Sequence, residues 1–116
     1  MKSRYYPLHL GVTAVFVSSL TLLACSHSPP TAELRGARDS IARAEYDGAR
    51  QLAAQPFQMA QDRLARAQTN VTNNDMGQAK NLAEEAQADA DYADAVANTK
   101  KTATAAAELQ GAQQKP

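Results

Sequence analysis

The chain has 116 residues, and its 12 Lys and Arg balance its 12 Asp and Glu, so that its formal net charge is zero. A nucleic-acid-binding protein usually carries a clearly basic surface, and this composition gives no indication of one. The single cysteine excludes an internal disulfide bond. The length allows one small domain beside a targeting segment.

The first 24 residues have the features of a secretory signal peptide. Lys2 and Arg4 give a basic start, and a mostly apolar run from Leu8 to Ala24 follows. This run is short and weakly apolar for a membrane-spanning helix, which needs about 20 strongly apolar residues. We therefore expect residues 1–24 to be a signal peptide that is removed on export.

The string Leu22-Leu23-Ala24-Cys25 at the end of this run resembles the lipobox of bacterial lipoproteins. In such proteins the cysteine thiol, which is a strong nucleophile as its thiolate, receives a diacylglyceryl group before cleavage. The resemblance implies lipidation at Cys25 and a durable membrane anchor, because each buried methylene contributes about 0.8 kcal/mol. The alternative is a plain secretory signal in which the cysteine is incidental.

The residues after the cleavage position predict where the protein lies and how it is divided. By the enterobacterial sorting rule that the lipobox resemblance implies, Ser26 favours the periplasmic face of the outer membrane, with the inner membrane as the alternative. We expect a lipidated cysteine and polar stalk at 25–30, a helical domain at 31–112 and a tail at 113–116. From Cys25 onward, six Arg and four Lys face twelve Asp and Glu, which leaves a net charge of −2.

The first predicted helix starts at Thr31, which is suited to capping it, and has Glu33 in its first turn. Apolar or small residues then recur at intervals of three and four, the period of an amphipathic helix. They are Leu34, Ala37, Ile41, Ala44, Gly48 and Leu52. We interpret Gly48 as a position of close helix contact rather than as a hinge.

A second stripe of the same period is out of phase with the first. Phe57 falls about 140° from the line through Leu52 at about 100° per residue. Pro56 lies at the offset, where it would break a helix interior but suits a first helical position. We therefore predict a chain break there, followed by the stripe Phe57, Ala60, Leu64, Ala67 and Val71.

The segment from Thr69 to Asp75 is rich in Thr and Asn, which favour turns over helix interiors. Asp75 and Gln78 have the spacing of a capping box. A third helix is predicted to follow and to stop near Gly111. Its stripe is Ala79, Leu82, Ala86, Ala90, Ala93 and Ala97.

These patterns predict an all-α fold, a small antiparallel three-helix bundle, with a long kinked helical hairpin as the alternative. The three predicted helices consist mainly of good helix formers and show no alternating pattern typical of a strand. The core is expected to be thin, because the residues after Pro30 include 23 alanines but only eight Leu, Ile or Val. A small domain with little apolar area to bury is marginally stable, which favours self-association or a partner.

The sequence argues against catalysis. Both histidines, His9 and His27, precede the domain, so Ser-His and Cys-His sites and ordinary zinc sites are excluded. We expect no enzyme activity, no cofactor, no bound metal and no small-molecule substrate.

An acidic cluster on the third helix is the one concentration of charged groups, and six arginines precede it. On a helix, Glu84, Asp91 and Asp94 fall near one side and form a candidate partner face, while Glu85 and Asp89 fall near another. A solvated surface is the plainer interpretation, with weak calcium binding or a basic partner as alternatives. By pairing with the acids of the third helix, the arginines are expected to favour antiparallel packing. They are Arg35, Arg38, Arg43, Arg50, Arg63 and Arg66.

Three strings across the domain look like the DUF4398 family of small envelope lipoprotein domains of unassigned function. The likeness covers roughly Leu34 to Ala106 and includes placed glycines and a proline, although Gln55 stands where the family usually has alanine before the proline. The resemblance implies a cell-envelope context, since such domains also occur joined or adjacent to OmpA-like peptidoglycan-binding domains. The strings are Ala42 to Ala49, Pro56 with Ala60 to Ala67, and Gly77 to Ala90.

Two functions are compatible with these features. The first is a structural or adaptor lipoprotein that acts by helix-to-helix association of coiled-coil type with an envelope protein or with itself. The second is a murein-lipoprotein-like tether between the outer membrane and the cell wall. Such a tether uses a C-terminal lysine, and here Lys115 is followed by Pro116.

Overall fold

A computed structural model describes residues 28–115 of the chain. The predicted signal peptide, Cys25, His27 and Pro116 lie outside the described residues. Within residues 28–115 the chain is helical and has no strand, as predicted. The helices are α1 (Thr31–Tyr46), α2 (Ala49–Leu52), α3 (Ala54–Thr72) and α4 (Met76–Gln113).

Helix α1 buries the apolar stripe that its sequence predicts. Leu34, Ala37, Ile41 and Ala44 are all buried, and they recur once per helical turn. The predicted cap is wrong by one residue. Pro30 takes the capping position, its carbonyl oxygen accepts from the Leu34 amide at 3.0 Å, and no side chain caps the helix.

Gly48 ends this first stripe, which corrects our interpretation of it as a site of helix contact. Its φ of 83° lies in the left-handed region, where a Cβ is strained. Space is not the reason, because a Cβ at Gly48 would meet nothing closer than the Leu52 Cδ1 atom at 3.8 Å. The chain therefore leaves α1 at Tyr46 and makes the single turn of α2 before α3.

The predicted break near Pro56 is present, but it lies three residues earlier. Ala53 has an extended φ of −140° between α2 and α3. Pro56 is the third residue of α3 rather than the first, and it is tolerated there because first-turn amides have no partner within the helix. Phe57, Ala60 and Ala67 then face the core, as the second stripe predicts.

The turn between α3 and α4 is shorter than its composition indicates. Helix α3 continues through Thr69 to Thr72, and Asn74 turns the chain with a φ of 61°. The Asp75 Oδ1 atom accepts from the Gln78 amide at 3.1 Å, as the capping box predicts. The other half of the box is missing, because the Asp75 amide donates instead to the Asn70 carbonyl oxygen.

The three long helices form an up-down-up arrangement, and the predicted all-α fold is confirmed. Helix α4 packs against both α1 and α3. Ion pairs join Glu33 to Lys80 and Asp47 to Lys101, so that α1 and α4 run in the same direction. Helix α3 runs against both.

The core is built mainly from alanine, as the composition predicts. One cluster surrounds Phe57 and Ile41 near the α2 end of the bundle, and a smaller cluster surrounds Leu34 and Leu82 at the other end. Seven residues of α4 are buried, the last of them Ala97. Alanine lets the helices approach closely, but each one removes little apolar area from water.

Candidate functional site

The three acids predicted as a partner face are held differently by the fold. The Asp91 Oδ1 atom lies 2.6 Å from Arg43 Nη2, and the Asp94 Oδ2 atom lies 3.6 Å from Arg43 Nε. Glu84 lies on the outer surface beside Lys80, one turn earlier on the same helix. Arg43 therefore joins two of the three acids to α1, and Glu84 is not part of that group.

The acids on the other side of the α4 stripe contact α3. Arg63 forms ion pairs with both Glu85 and Asp89, and its own side chain is 29% exposed. This half-buried pairing joins α3 and α4 across the bundle, which agrees with the prediction that the arginines answer the acidic helix. Ion pairs that remain in contact with water contribute about 0–1 kcal/mol each, so these pairs orient the helices more than they stabilise them.

Within residues 28–115, the other predicted arginines form no ion pair with the acidic helix. Arg50 pairs with Glu45 instead and lies over the Phe57 ring at 5.3 Å from its centroid, a cation–π distance. Among residues 28–115, no ion pair involves Arg35, Arg38 or Arg66. Helical periodicity placed these side chains on a surface but could not select their partners.

A small polar cluster lies where α1 ends against α4. The Lys101 Nζ atom donates to the Asp47 Oδ1 atom at 3.0 Å, and this bond lowers the pKa of Asp47 from its ordinary value. Burial raises the pKa of the neighbouring Asp94, and its hydrogen bond to Asp47 acts in the same direction. The pKa values of these two neighbouring carboxyls are thus shifted in opposite directions.

An open groove of about 580 Å³ lies where α2 and the first turn of α3 meet α4. Its lining includes apolar side chains from both sides, namely Leu52, Pro56, Met59, Tyr92 and Val96. Tyr92 is 63% exposed and Met59 40%, although both are large and largely apolar. This groove was not predicted from the sequence.

Lys100 lines this groove, and both Lys100 and its neighbour Lys101 bond to the connection between α1 and α3. Lys100 donates from Nζ to the Leu52 carbonyl oxygen, which is one of the last carbonyls of α2 and has no helical partner. Lys101 reaches Asp47 on the other side of α4. Lys100 and Lys101 therefore attach this part of α4 to the residues that connect α1 with α3.

Beyond Ala97, α4 leaves the bundle as an exposed helix. The sequence predicted a stop near Gly111, but the helix continues through that residue to Gln113. Every residue from 98 to 113 is exposed, over about 24 Å at 1.5 Å per residue. We call residues 98–113 the extension.

The sequence explains why the bundle stops while the helix continues. The positions that continue the buried stripe of α4 after Ala97 at helical spacing are 101, 104, 108 and 111. They are occupied by Lys101, Thr104, Glu108 and Gly111, none of which can supply apolar contact. The segment remains rich in alanine, which is the best helix former, and so it is helical without a core to cover.

The described residues carry few other functional features. Across residues 28–115, no three His, Cys, Asp or Glu side chains are arranged to hold a metal ion. No helix in that range combines the length and the apolar character needed to cross a membrane.

Comparison with known proteins places this architecture in a family. The family described as "Domain of unknown function (DUF4398)" matches residues 32–114. The chain belongs to the DUF4398 family. The match includes all of α2, α3 and α4, so the extension is part of the DUF4398 domain and not an appendage to it. No curated protein and no solved structure matches the chain.

Proposed function

We propose that this DUF4398 protein is a lipid-anchored cell-envelope adaptor, attached to the outer membrane through Cys25 and acting by helix-to-helix association. The Leu22-Leu23-Ala24-Cys25 string supports the anchor. The inner membrane is the alternative location. The adaptor role needs no catalytic group, and it requires a surface that the bundle itself does not use.

The extension is the observation that carries this proposal. It is 16 residues of helix within the family domain with every residue exposed, and Lys100 and Lys101 near its start bond back to the bundle. An isolated helix of that length is marginal in water. A helix that buries none of its residues against its own chain is suited to packing against a helix of a partner, which would supply apolar contacts to it.

The direction of the helices supports the same role. Because α1 and α4 are parallel, Thr31 lies at the opposite end of the bundle from the extension. A lipid on Cys25, six residues before Thr31, would leave the extension directed away from the anchored end. The extension would then be available to a partner beyond the membrane surface.

The anchor is tested by labelling cells with a palmitate analogue. We expect label on the wild-type chain and none on the Cys25→Ser variant, because the thiol is the acceptor. A matched control is Ser26→Ala, which leaves the thiol in place and should be labelled normally. Label that persists on Cys25→Ser would place the anchor elsewhere.

The adaptor role is tested by photo-crosslinking in intact cells. A photoreactive residue at position 107, in the extension, should capture discrete partners that mass spectrometry identifies. The same residue at position 38, an exposed site on α1, serves as the control. Equal capture at the two positions would contradict a specific role of the extension.

A tether to the cell wall is the second candidate, because Lys115 lies just beyond α4, at the end of the molecule opposite Thr31. A covalent link from its side chain to peptidoglycan would span from the anchored end to the wall. Muramidase digestion decides this candidate. A shift in apparent mass that disappears in Lys115→Arg supports the tether, and an unchanged mass rejects it.

A further inference from the structure

One face of α4 passes from the groove into the extension without interruption. Its residues are spaced four, three, four, three and four apart, which places them within about 80° of one another on the helix. We call this face the outer stripe. It consists of Tyr92, Val96, Thr99, Ala103, Ala106 and Gln110.

The outer stripe contains no charged residue. Asp91, Asp94, Lys101 and Glu108 lie on other faces of the same helix, and Lys100 lies at the edge of the stripe, turned back toward Leu52. Depletion of charge with an aromatic residue present is typical of the core of a protein interface. The distribution favours a partner whose facing surface is also uncharged.

We propose that the outer stripe pairs with the same stripe of a second copy of this chain, with the two α4 helices antiparallel. The spacing of the stripe is symmetric about position 101, so a two-fold axis there aligns the two stripes in register. Tyr92 then faces Gln110 of the second copy, Val96 faces its Ala106, and Thr99 faces its Ala103. Such an isologous pairing is closed and gives a dimer rather than a fibre.

Side-chain size favours this orientation over a parallel one. The antiparallel pairing sets the large Tyr92 and Val96 against the thin far end of the extension. A parallel pairing would set the two Tyr92 side chains against each other and leave both grooves unfilled. The far end lies about 21 Å from the groove, counting the 14 residues from Val96 to Gln110, and so each extension reaches the groove of the other copy.

The size of the contact predicts its strength. Residues 92–110 form a strip about 28 Å long on a helix about 10 Å in diameter. Specific interfaces bury about 800 Å² on each partner, which is more than a single helical strip of this size offers, so the groove walls at Met59 and Leu52 must contribute as well. The area therefore favours a weak, concentration-dependent dimer that needs the groove and the extension together.

This dimer rests on the proposed mode of action, helix-to-helix association, but not on the lipid. Pairing is read from crosslinked mass and the anchor from palmitate label, so the two can fail separately. A chain that pairs without label would reject the anchor alone. A labelled chain that does not pair would reject the dimer alone.

Pairing is tested in cells with two introduced cysteines and a short bismaleimide. The full-length Tyr92→Cys/Gln110→Cys variant, in a Cys25→Ser background and again with Cys25 present, should give a dimer on a denaturing gel. Gln110→Cys alone should not, because its two thiols would lie about 27 Å apart along the antiparallel helices. A dimer from Gln110→Cys alone would indicate parallel pairing and overturn the proposal.

A matched pair of arginine variants tests the face without touching Tyr92. Ala103→Arg places a charge in the outer stripe, and Ala105→Arg places the same charge on the opposite side of the extension. Both positions are exposed and outside the core, so circular dichroism should be the same for the two. We expect at least a tenfold weaker self-association in light scattering for Ala103→Arg alone. Equal self-association of both variants, or a strictly monomeric wild-type chain, would overturn the dimer.

Discussion

The two parts of α4 both contain many alanines but are opposite in their surroundings. From Ala79 to Ala97 the helix presents alanine and Leu82 to α1 and α3, and each of those positions is buried. From residue 98 to 113 the helix still contains several alanines, yet no residue is buried. Alanine is sufficient to make both segments helical. Only the first segment also has a continuous apolar stripe, and only that segment is part of the core.

The largest expected difference in the free energy of unfolding comes from removing one large apolar side chain from the bundle and one from the extension. Phe57→Ala should lower the free energy of unfolding by about 3–5 kcal/mol, because Phe57 is 2% exposed and packs among the alanines of α4. Leu109→Ala in the extension, where Leu109 is 67% exposed, should change it by less than about 0.5 kcal/mol. Urea unfolding measures both.

The comparison would break if both variants lost similar stability. Similar losses would mean that the extension contributes to the cooperative unit. In that case Leu109, which lies on a different face of the helix from the outer stripe, would have to pack against another molecule in solution. Repeating the measurement at several concentrations would detect such packing.

The next largest difference is expected when one glycine of the bundle and one glycine of the extension are each replaced by alanine. Gly48→Ala should destabilise the domain by about 1–2 kcal/mol, because its φ of 83° is unfavourable for an L-residue. Gly111→Ala has open space around its Cβ and lies in a regular helix, so it should raise the helicity of the extension without lowering stability. Thermal unfolding followed by circular dichroism reports both changes, and a neutral Gly48→Ala would contradict the strained turn.

The smallest effect concerns pH and lies at the junction of the two regions. Burial raises the pKa of Asp94, so its folded form holds the proton more tightly than the unfolded chain does. Wild type should therefore gain stability relative to Asp94→Asn as pH falls from 7 through that raised pKa, with the gain complete below the ordinary value of 3.8.

Asp47 is expected to behave in the opposite way. Its hydrogen bond to Lys101 lowers its pKa, so its contribution is fully present above 3.8 and is lost as pH falls through the lowered value. Wild type should then lose stability relative to Asp47→Asn only in the most acidic part of the range. Urea unfolding of the three proteins between pH 2 and 7 checks both signs, and pH profiles that run parallel would show that neither carboxyl is coupled to folding.

Much of this fold can be predicted from the sequence because alanine stripes at helical spacing mark buried faces directly. Most buried residues of α1, α3 and α4 and the cap at Asp75 follow from that spacing and from local chemistry, whereas the buried Ser40 and Ala83 lie outside the predicted stripes. Gly48 could not be placed in the same way. It falls on the stripe between Ala44 and Leu52, and periodicity does not distinguish a helical residue from one in the left-handed region.

The groove and the extension are harder to predict from the sequence, because the extension is defined by the absence of an apolar stripe after Ala97. The sequence placed Glu84, Asp91 and Asp94 on one side, but only the packing of α1 assigns two of them to Arg43. The polar residues at 101, 104 and 108 signal the end of the buried stripe and would have marked the extension. The groove requires the crossing of α2 and α4, which no local pattern contains.

The parallel arrangement of α1 and α4 has a mechanical consequence. If one end of the protein is fixed at the start of α1 and a partner pulls on the extension, the load runs along the seam between two parallel helices in shear. The pairs Glu33–Lys80, Arg43–Asp91 and Asp47–Lys101 are distributed along that seam and would resist together. A hairpin pulled from adjacent ends would instead open one contact at a time, so this fold is suited to bearing tension between its two ends.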